Sequence, residues 1–351
     1  MFAPKFSFTP KIITELTSIE RLYGQLLGEQ LIPSLTLQLS QENQILATHF
    51  STSIEGNPLS QMDVTNIILG DQIPVTKSEK EVTNYFSVLN TIFLKAKKNV
   101  PLTPELTKSL HHELMKDIEK KDLGEFRDGG VFVGHRTPTE IVVKHNPPFH
   151  TRVEIEKALT ELYDWVMSKE DQTHPLLKAA IMHHHFVYIH PFLDGNGRLA
   201  RILTAYFLLL KHYEVTRFFI LDDYYDIDRQ LYSDTLHIAD NGDETEWIEY
   251  FLEGIANSLQ GAIARINTLK RKNMDEVTGE KRVLVTVREE EVLQIVLEKK
   301  AIKTTDVQKA LEVSRQQAHS LLSSLVKKGI LDKFGKTKTS YYKIKKQDQE
   351  I

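Results

Sequence analysis

The chain has 351 residues, 41% hydrophobic and 26% charged, with a formal net charge of −4 and no cysteine. That is a globular composition, two or three domains long at about 100–200 residues each, and it excludes disulfides, thiolate catalysis and cysteine-ligated zinc or iron–sulfur sites. The charge is uneven: residues 282–351 hold 15 Lys/Arg against 9 Asp/Glu and the rest hold 29 against 39, so a basic C-terminal module is expected on an acidic body.

The start, MFAPKFSFTP, lacks the basic residues and apolar run of a secretory signal. The apolar run at 205–210 is far short of the roughly 20 residues of a membrane span. A cytoplasmic protein with no membrane partner is expected. Helical periodicity predicts helices over 12–27 and 35–50, punctuated by Pro33 and Pro58, and again over 79–97. A further helix is predicted over 104–118, with Thr103 as cap and Pro104 at its first position. Residues 124–150 are rich in Gly, Pro, Val and Thr. Short β-prone runs at 131–133 and 141–143 predict a hairpin there. Helices resume over 152–169, 175–188, 199–213, 228–238 and 244–268, and the polar stretch 269–281 reads as a linker. The last part runs helix 289–297, helix 304–311, turn 312–314 and helix 315–328, stopped by Gly329. A hairpin of 330–334 and 340–344 follows. This is the winged-helix order.

The chemistry lies in the run His190-Pro-Phe-Leu-Asp-Gly-Asn-Gly-Arg-Leu-Ala-Arg201. Gly195 and Gly197 allow a loop whose backbone N–H groups form a concave anion nest. The helix that follows adds about half a positive charge at its start. Arg198 and Arg201, three apart, share one face of its first turn. Alone they would be a solvated face; behind this loop they make a polyphosphate site. Asp194 is a hard oxygen ligand suited to magnesium beside phosphates. His190, with an unperturbed pKa of about 6.5, is a workable base near neutrality. A base, a metal carboxylate and a phosphate cradle read as transfer of a nucleotide or phosphoryl group to a hydroxyl. His183, His184 and His185 point three ways around a helix and cannot converge on one metal, so structural roles are expected.

The run resembles the Fic motif, HxFx(D/E)GNGRxxR, at every specified position, and the preceding His183-x-x-Phe186-x-x-Ile189-His190 is also similar to that family. The resemblance covers roughly residues 30–260. It implies a mainly α fold, a Fic-type helical bundle with a small β-hairpin flap, here followed by a C-terminal winged-helix domain. The expected parts are an N-terminal helical region (1–110), a Fic core (111–268), a linker (269–281) and the winged helix (282–351). The implied activity is transfer of AMP from ATP to a Ser, Thr or Tyr hydroxyl of a target protein, with self-modification as a side or regulatory reaction. By that resemblance His190 deprotonates the target hydroxyl, which attacks the α-phosphate, and pyrophosphate leaves. Asp194 holds Mg2+. Gly195, Asn196 and Gly197 steady the α- and β-phosphates, the Asn196 amide donating as well. Arg198 and Arg201 neutralise the β- and γ-phosphates.

Upstream, Ser51-Thr-Ser-Ile-Glu55-Gly56 resembles the family's inhibitory motif, (S/T)xxxE(G/N). The implied device is an ion pair from Glu55 to Arg201 that occupies the γ-phosphate's partner, so Glu55 belongs to the ATP site and inhibits it. Moving such an equilibrium from 99:1 to even takes about 2.7 kcal/mol. The hairpin would hold a target segment by strand addition, and Asn146-Pro147-Pro148 fits the pattern that follows such flaps. Tyr232 falls where the family often has a tyrosine near the adenine. Two alternatives stay open. Glu55 could place a water for removal of AMP, with His190 as the acid. Or the chain could be a nucleotide-sensing regulator whose winged helix binds DNA, through Arg315, Gln316, Gln317 and His319 and the wing lysines Lys333, Lys336 and Lys338. A protein-binding or structural role for that module is the favoured reading over DNA contact. Fic domains often self-associate, which leaves a homodimer open.

Overall fold

The computed structural model describes residues 2–28, 33–70, 73–118, 122–136, 141–214, 220–276, 285–335 and 340–345. Contacts divide the chain into two compact units, one of residues 1–28 and 40–270, the other of 29–39 and 271–351. Residues 40–110 and 111–268, expected as separate parts, therefore share one unit.

In the first unit, helices α1 (Pro10–Gly28), α2 (Pro33–Ile54, from residue 40 on), α4 (Lys77–Lys97), α5 (Pro104–Met115) and α6 (Arg152–Met167) surround a central pair, α7 (Pro175–Ile189) and α8 (Asn196–Leu210). Caps place the starts. Thr76 with Glu79 and Thr151 with Glu154 close capping boxes at α4 and α6, and Thr103 with Pro104 opens α5. The central pair is buried on nearly every side, as its near-continuous apolar sequence demands.

Two short helices were not expected. α3 (Gln61–Leu69) starts at a Ser60–Asp63 capping box, and its Val64 packs against Ile45 and Val82. α9 (Asp222–Ile227) precedes α10 (Arg229–Ile238) and a 3-10 turn at Ala239–Asn241. The hairpin is β1 (Val133–Arg136) with β2 (Ile141–His145), antiparallel, with a bulge at Val133/Gly134, and β1 lies later than the expected 131–133. The helix expected to stop at 268 is α11 (Thr245–Glu276). Residues 269–276 are thus helical rather than linker, and 277–281 lie outside the described residues. Lys and Arg are good helix formers, which is why a charged stretch continues the helix.

In the second unit, α12 (Val287–Lys299), α13 (Thr304–Leu311) and α14 (Arg315–Lys327) precede the antiparallel pair β3 (Leu331–Phe334) and β4 (Tyr341–Ile344). Ile302 bridges to Tyr342 as a third strand position. Val292, Leu293, Val296, Ile302, Val307 and Leu322 form its core. Arg315, Gln316, Gln317, His319 and Lys333 are exposed, but the Gln317 side chain accepts from the Ser314 N–H and closes the α14 capping box. Lys336 and Lys338 lie outside the described residues. Among the described residues no helix is long and apolar enough to cross a membrane.

Candidate active site

The site forms where α7 ends and α8 begins. Pro175 starts α7, and His190 ends it in the left-handed region (φ 50°, ψ 63°), a conformation uncommon for a residue with a side chain. What holds it there is Arg127. Its Nε donates to the His190 carbonyl (2.7 Å), its Nη2 to that of Ile189 (3.2 Å) and its Nη1 to that of Gly129 (2.5 Å). The Arg127 N–H also donates to the Pro191 carbonyl (2.9 Å). An Arg127→Met chain is expected to lose about 3 kcal/mol of stability, since a buried acceptor left unpaired costs roughly 1–3 kcal/mol. Urea melts of the two proteins measure it.

His190 Nδ1 faces the Val187 carbonyl at 3.3 Å. A carbonyl only accepts, so Nδ1 carries the proton and Nε2 keeps its lone pair. Burial, opposed weakly by that hydrogen bond, pushes the imidazole down to about 4. It is therefore neutral, an unprotonated base, at physiological pH.

After His190 the chain turns on Asn196, whose Oδ1 accepts from the Phe192 N–H (2.9 Å) and whose Nδ2 donates to the Phe192 carbonyl (2.8 Å). The amide expected to donate to phosphates instead braces the loop. His111 stacks on the Phe192 ring at 3.7 Å. Its Nδ1 accepts from the Gly124 N–H (3.1 Å), so its Nε2–H donates to the Asp194 carbonyl (3.1 Å). Gly195 caps α8 at φ +77° and brings no side-chain cap. Among the described residues the first-turn N–H groups of α8 thus have neither intrahelical nor capping partners, as an anion site requires. The half-exposed Asp194 carboxylate accepts from the Gly195 N–H (2.6 Å) and from Arg198 Nη2 (3.3 Å).

Arg198 is buried, 3.4 Å from Glu81 through Nη1, yet its Nε and Nη1 make no hydrogen bond among the described residues. A guanidinium with two nitrogens not hydrogen-bonded, at the start of α8, fits a polyphosphate, and the half-exposed carboxylate next to it fits magnesium. Glu81 also accepts from Asn57 Nδ2 (2.9 Å), tying the turn after Glu55 to α4.

Arg201 is buried, with both Nε and Nη2 engaged. Nε donates to Ser51 Oγ (2.7 Å), and Nη2 to the Ser51 carbonyl (2.9 Å) and to Glu55 Oε1 (2.9 Å). Asp222 lies 3.2 Å from Nε. Burial works against the charge, but Glu55 foremost, then Tyr232 and Asp222, hold the guanidinium above its usual range. Glu55 follows the last turn of α2, where Gly56 takes φ +87° to bend the chain. A Cβ on Gly197 would overlap the Glu55 carboxylate where it now sits, so a side chain there would push the carboxylate from this position.

Tyr232 is buried behind Arg201. It stacks on Tyr225 at 4.4 Å, and its hydroxyl donates to His183 Nε2 (2.8 Å). His183 Nδ1–H donates in turn to Thr204 (3.0 Å), whose hydroxyl donates to the Ala200 carbonyl. Burial holds His183 well below its usual pKa, as a neutral relay. Beside it, Tyr85, Arg201, Asp222 and Tyr225 help line a cavity of about 20 Å³, room for one water.

The structure thus brings His190, Asp194, Gly195, Gly197, Arg198, Arg201 and Glu55 together, and sets Tyr232 behind them. Sequence reading did not single out Arg127, His111, Glu81 or Asp222, and it read Ser51 only as a motif letter.

Residues 101–208 match the Fic/DOC family model, a span that holds the 190–201 motif but not Glu55 or Tyr232. A protein adenylyltransferase Fic of Nematostella vectensis is 27% identical over 214 residues, 58% of this chain and 44% of that protein. Protein adenylyltransferase fic-1 of Caenorhabditis elegans is 24% identical over 238 residues, 66% of this chain and 43% of that protein. The chain therefore spans less than half the length of these curated relatives. A Fic family protein from Desulfovibrio desulfuricans G20 shares the fold, with a TM-score of 0.65 at 22% identity, over 99% of this chain and 100% of that one. The C. elegans Fic-1 fragment 134–508 does so at TM-score 0.59 and 23% identity, over 73% of each chain.

Proposed function

We propose, from the premise that residues 101–208 form a Fic/DOC-family domain, that this chain transfers AMP from ATP to a hydroxyl of a protein, its own chain included, and that Glu55 restrains the reaction. The observation that carries this reading is a single constellation. It holds a neutral buried base, an uncapped helix start, an arginine with two nitrogens not hydrogen-bonded among the described residues and a second arginine occupied by Glu55.

His190 Nε2 takes the proton of the attacking hydroxyl. The oxygen bonds to the α-phosphorus, the bond to the bridging oxygen breaks and pyrophosphate leaves. The α8 N–H groups and Arg198 oppose the charge on the phosphates, acting by position and electrostatics. Magnesium, which Asp194 would hold, neutralises phosphate charge when bound. Arg201 joins only when Glu55 swings away. The exposed Phe132 and Val143 of the hairpin, which forms a two-stranded sheet of its own, suit docking of an extended target segment. Lys144 anchors that hairpin to α10 through Ser233 (3.1 Å) and Asp234 (3.5 Å).

Label transfer tests the reaction class. With the Glu55→Gly chain and ATP labelled at either end, α-phosphate label is expected on the protein and γ-phosphate label in pyrophosphate. Label reaching the protein from the γ-position alone would mean phosphoryl transfer and defeat the reading.

A further inference from the structure

Behind the flap, three metal-binding side chains from three segments meet on one oxygen. His145 closes β2, His237 stands in the last turn of α10 and Asp240 lies in the 3-10 turn that follows. Asp240 Oδ2 is 2.8 Å from His145 Nδ1 and 3.0 Å from His237 Nδ1. These three form one of two such ligand groups among the described residues.

The His145 ring shows the conflict that a cation resolves. Its Nε2 faces the Tyr188 carbonyl at 2.9 Å. A carbonyl only accepts, so Nε2 carries a hydrogen. In the neutral ring Nδ1 is then a lone pair, yet it faces a carboxylate oxygen, another acceptor. Both rings are buried or half-buried, so water does not separate the two acceptors.

The surroundings are those of an outer coordination shell. A ligating histidine typically gives its other N–H to a backbone carbonyl, and a ligating carboxylate is itself hydrogen-bonded. Tyr188 takes the first part. His184 Nε2, 2.9 Å from Asp240 Oδ1, takes the second. A solvent-facing pocket lined by Lys144, Asp234, Ile238 and Asn241 borders His237 and gives an entry path.

We propose that His145, His237 and Asp240 form a zinc-type divalent cation site that fastens the flap strand to α10. Two imidazoles and one carboxylate favour zinc over magnesium. Zinc bonds of about 2.0–2.2 Å set tetrahedral ligand atoms somewhat wider than these contacts, so the three groups part by a few tenths of an ångström. The site is separate from the Asp194 carboxylate. Through Tyr188, two residues before His190, it bears on the flap and on the base together.

Zinc titration of the full chain by calorimetry, after chelator treatment and in excess Mg2+, tests this. One Zn2+ per chain is expected in wild type and in Asp194→Ala. Affinity falls by more than about 100-fold in His237→Ala and in the near-isosteric Asp240→Asn, beyond the cost of an outer-shell partner. His237 is at the surface of the cluster, and a circular dichroism spectrum like that of wild type shows the variant folded. The proposal fails if wild type takes up no zinc, if zinc binds both folded variants as before, or if Asp194→Ala alone abolishes binding.

Discussion

Incubated with Mg-ATP, the Glu55→Gly chain is expected to gain AMP at about 100 times the wild-type rate, read as added mass on the intact protein. Removing one partner of a buried ion pair typically costs 3–5 kcal/mol. Here Arg201 is buried but Glu55 is 35% exposed, so solvent screens the pair and lowers the figure to about 2–3 kcal/mol. At 1.36 kcal/mol per factor of ten that is roughly 30- to 200-fold. The gain is not limited to charge. Without the carboxylate, Arg201 keeps Ser51 and Asp222, stays folded in place and frees one N–H of Nη2 toward the phosphates while the other stays on the Ser51 carbonyl. Loss of an AMP-removing activity in the same variant, with no gain of transfer, would instead make Glu55 a hydrolytic residue.

That pairing was legible because both ends sit in motifs with constrained spacing. Glu55 precedes a Gly that the turn requires, and Arg201 lies one turn into a helix whose start is fixed by Gly195. The residues that make the pair rigid carry no such mark. Arg127 is an ordinary arginine 63 positions before the carbonyl it pins. Asp222 sits in a six-residue helix too short to show a period. Glu81 reads as one more charge on the exposed side of α4. Their roles arise only from the packing of α7 and α8, which tertiary structure sets. Helix α3 shows the opposite case. Its Ser60–Asp63 cap was visible in the chain, but nine residues gave too little periodicity to outweigh Pro58. Asn196 shows the limit of motif reading. The motif names the residue, while only the loop geometry shows that both ends of its amide are taken by Phe192.

The second large effect concerns His190. In the Glu55→Gly background, His190→Ala is expected to slow AMP transfer by about 10²–10⁴-fold, the range of a positioned general base. The sharper test is pH. A base works unprotonated, so its rate is full above its pKa and falls as pH drops through it. Burial holds the His190 imidazole down to about 4. Single-turnover rates of Glu55→Gly should therefore stay level from pH 8 to about 5.5 and decline only as pH approaches 4. An imidazole at the unperturbed value of about 6.5 would already have lost roughly tenfold at pH 5.5. That steeper profile would show the ring solvated in the working state. The flat one ties the base to its buried setting at the end of α7, with Val187 holding Nδ1–H and Arg127 holding the backbone. In His190→Ala the residual rate should lose this dependence, because the imidazole that carries it is gone.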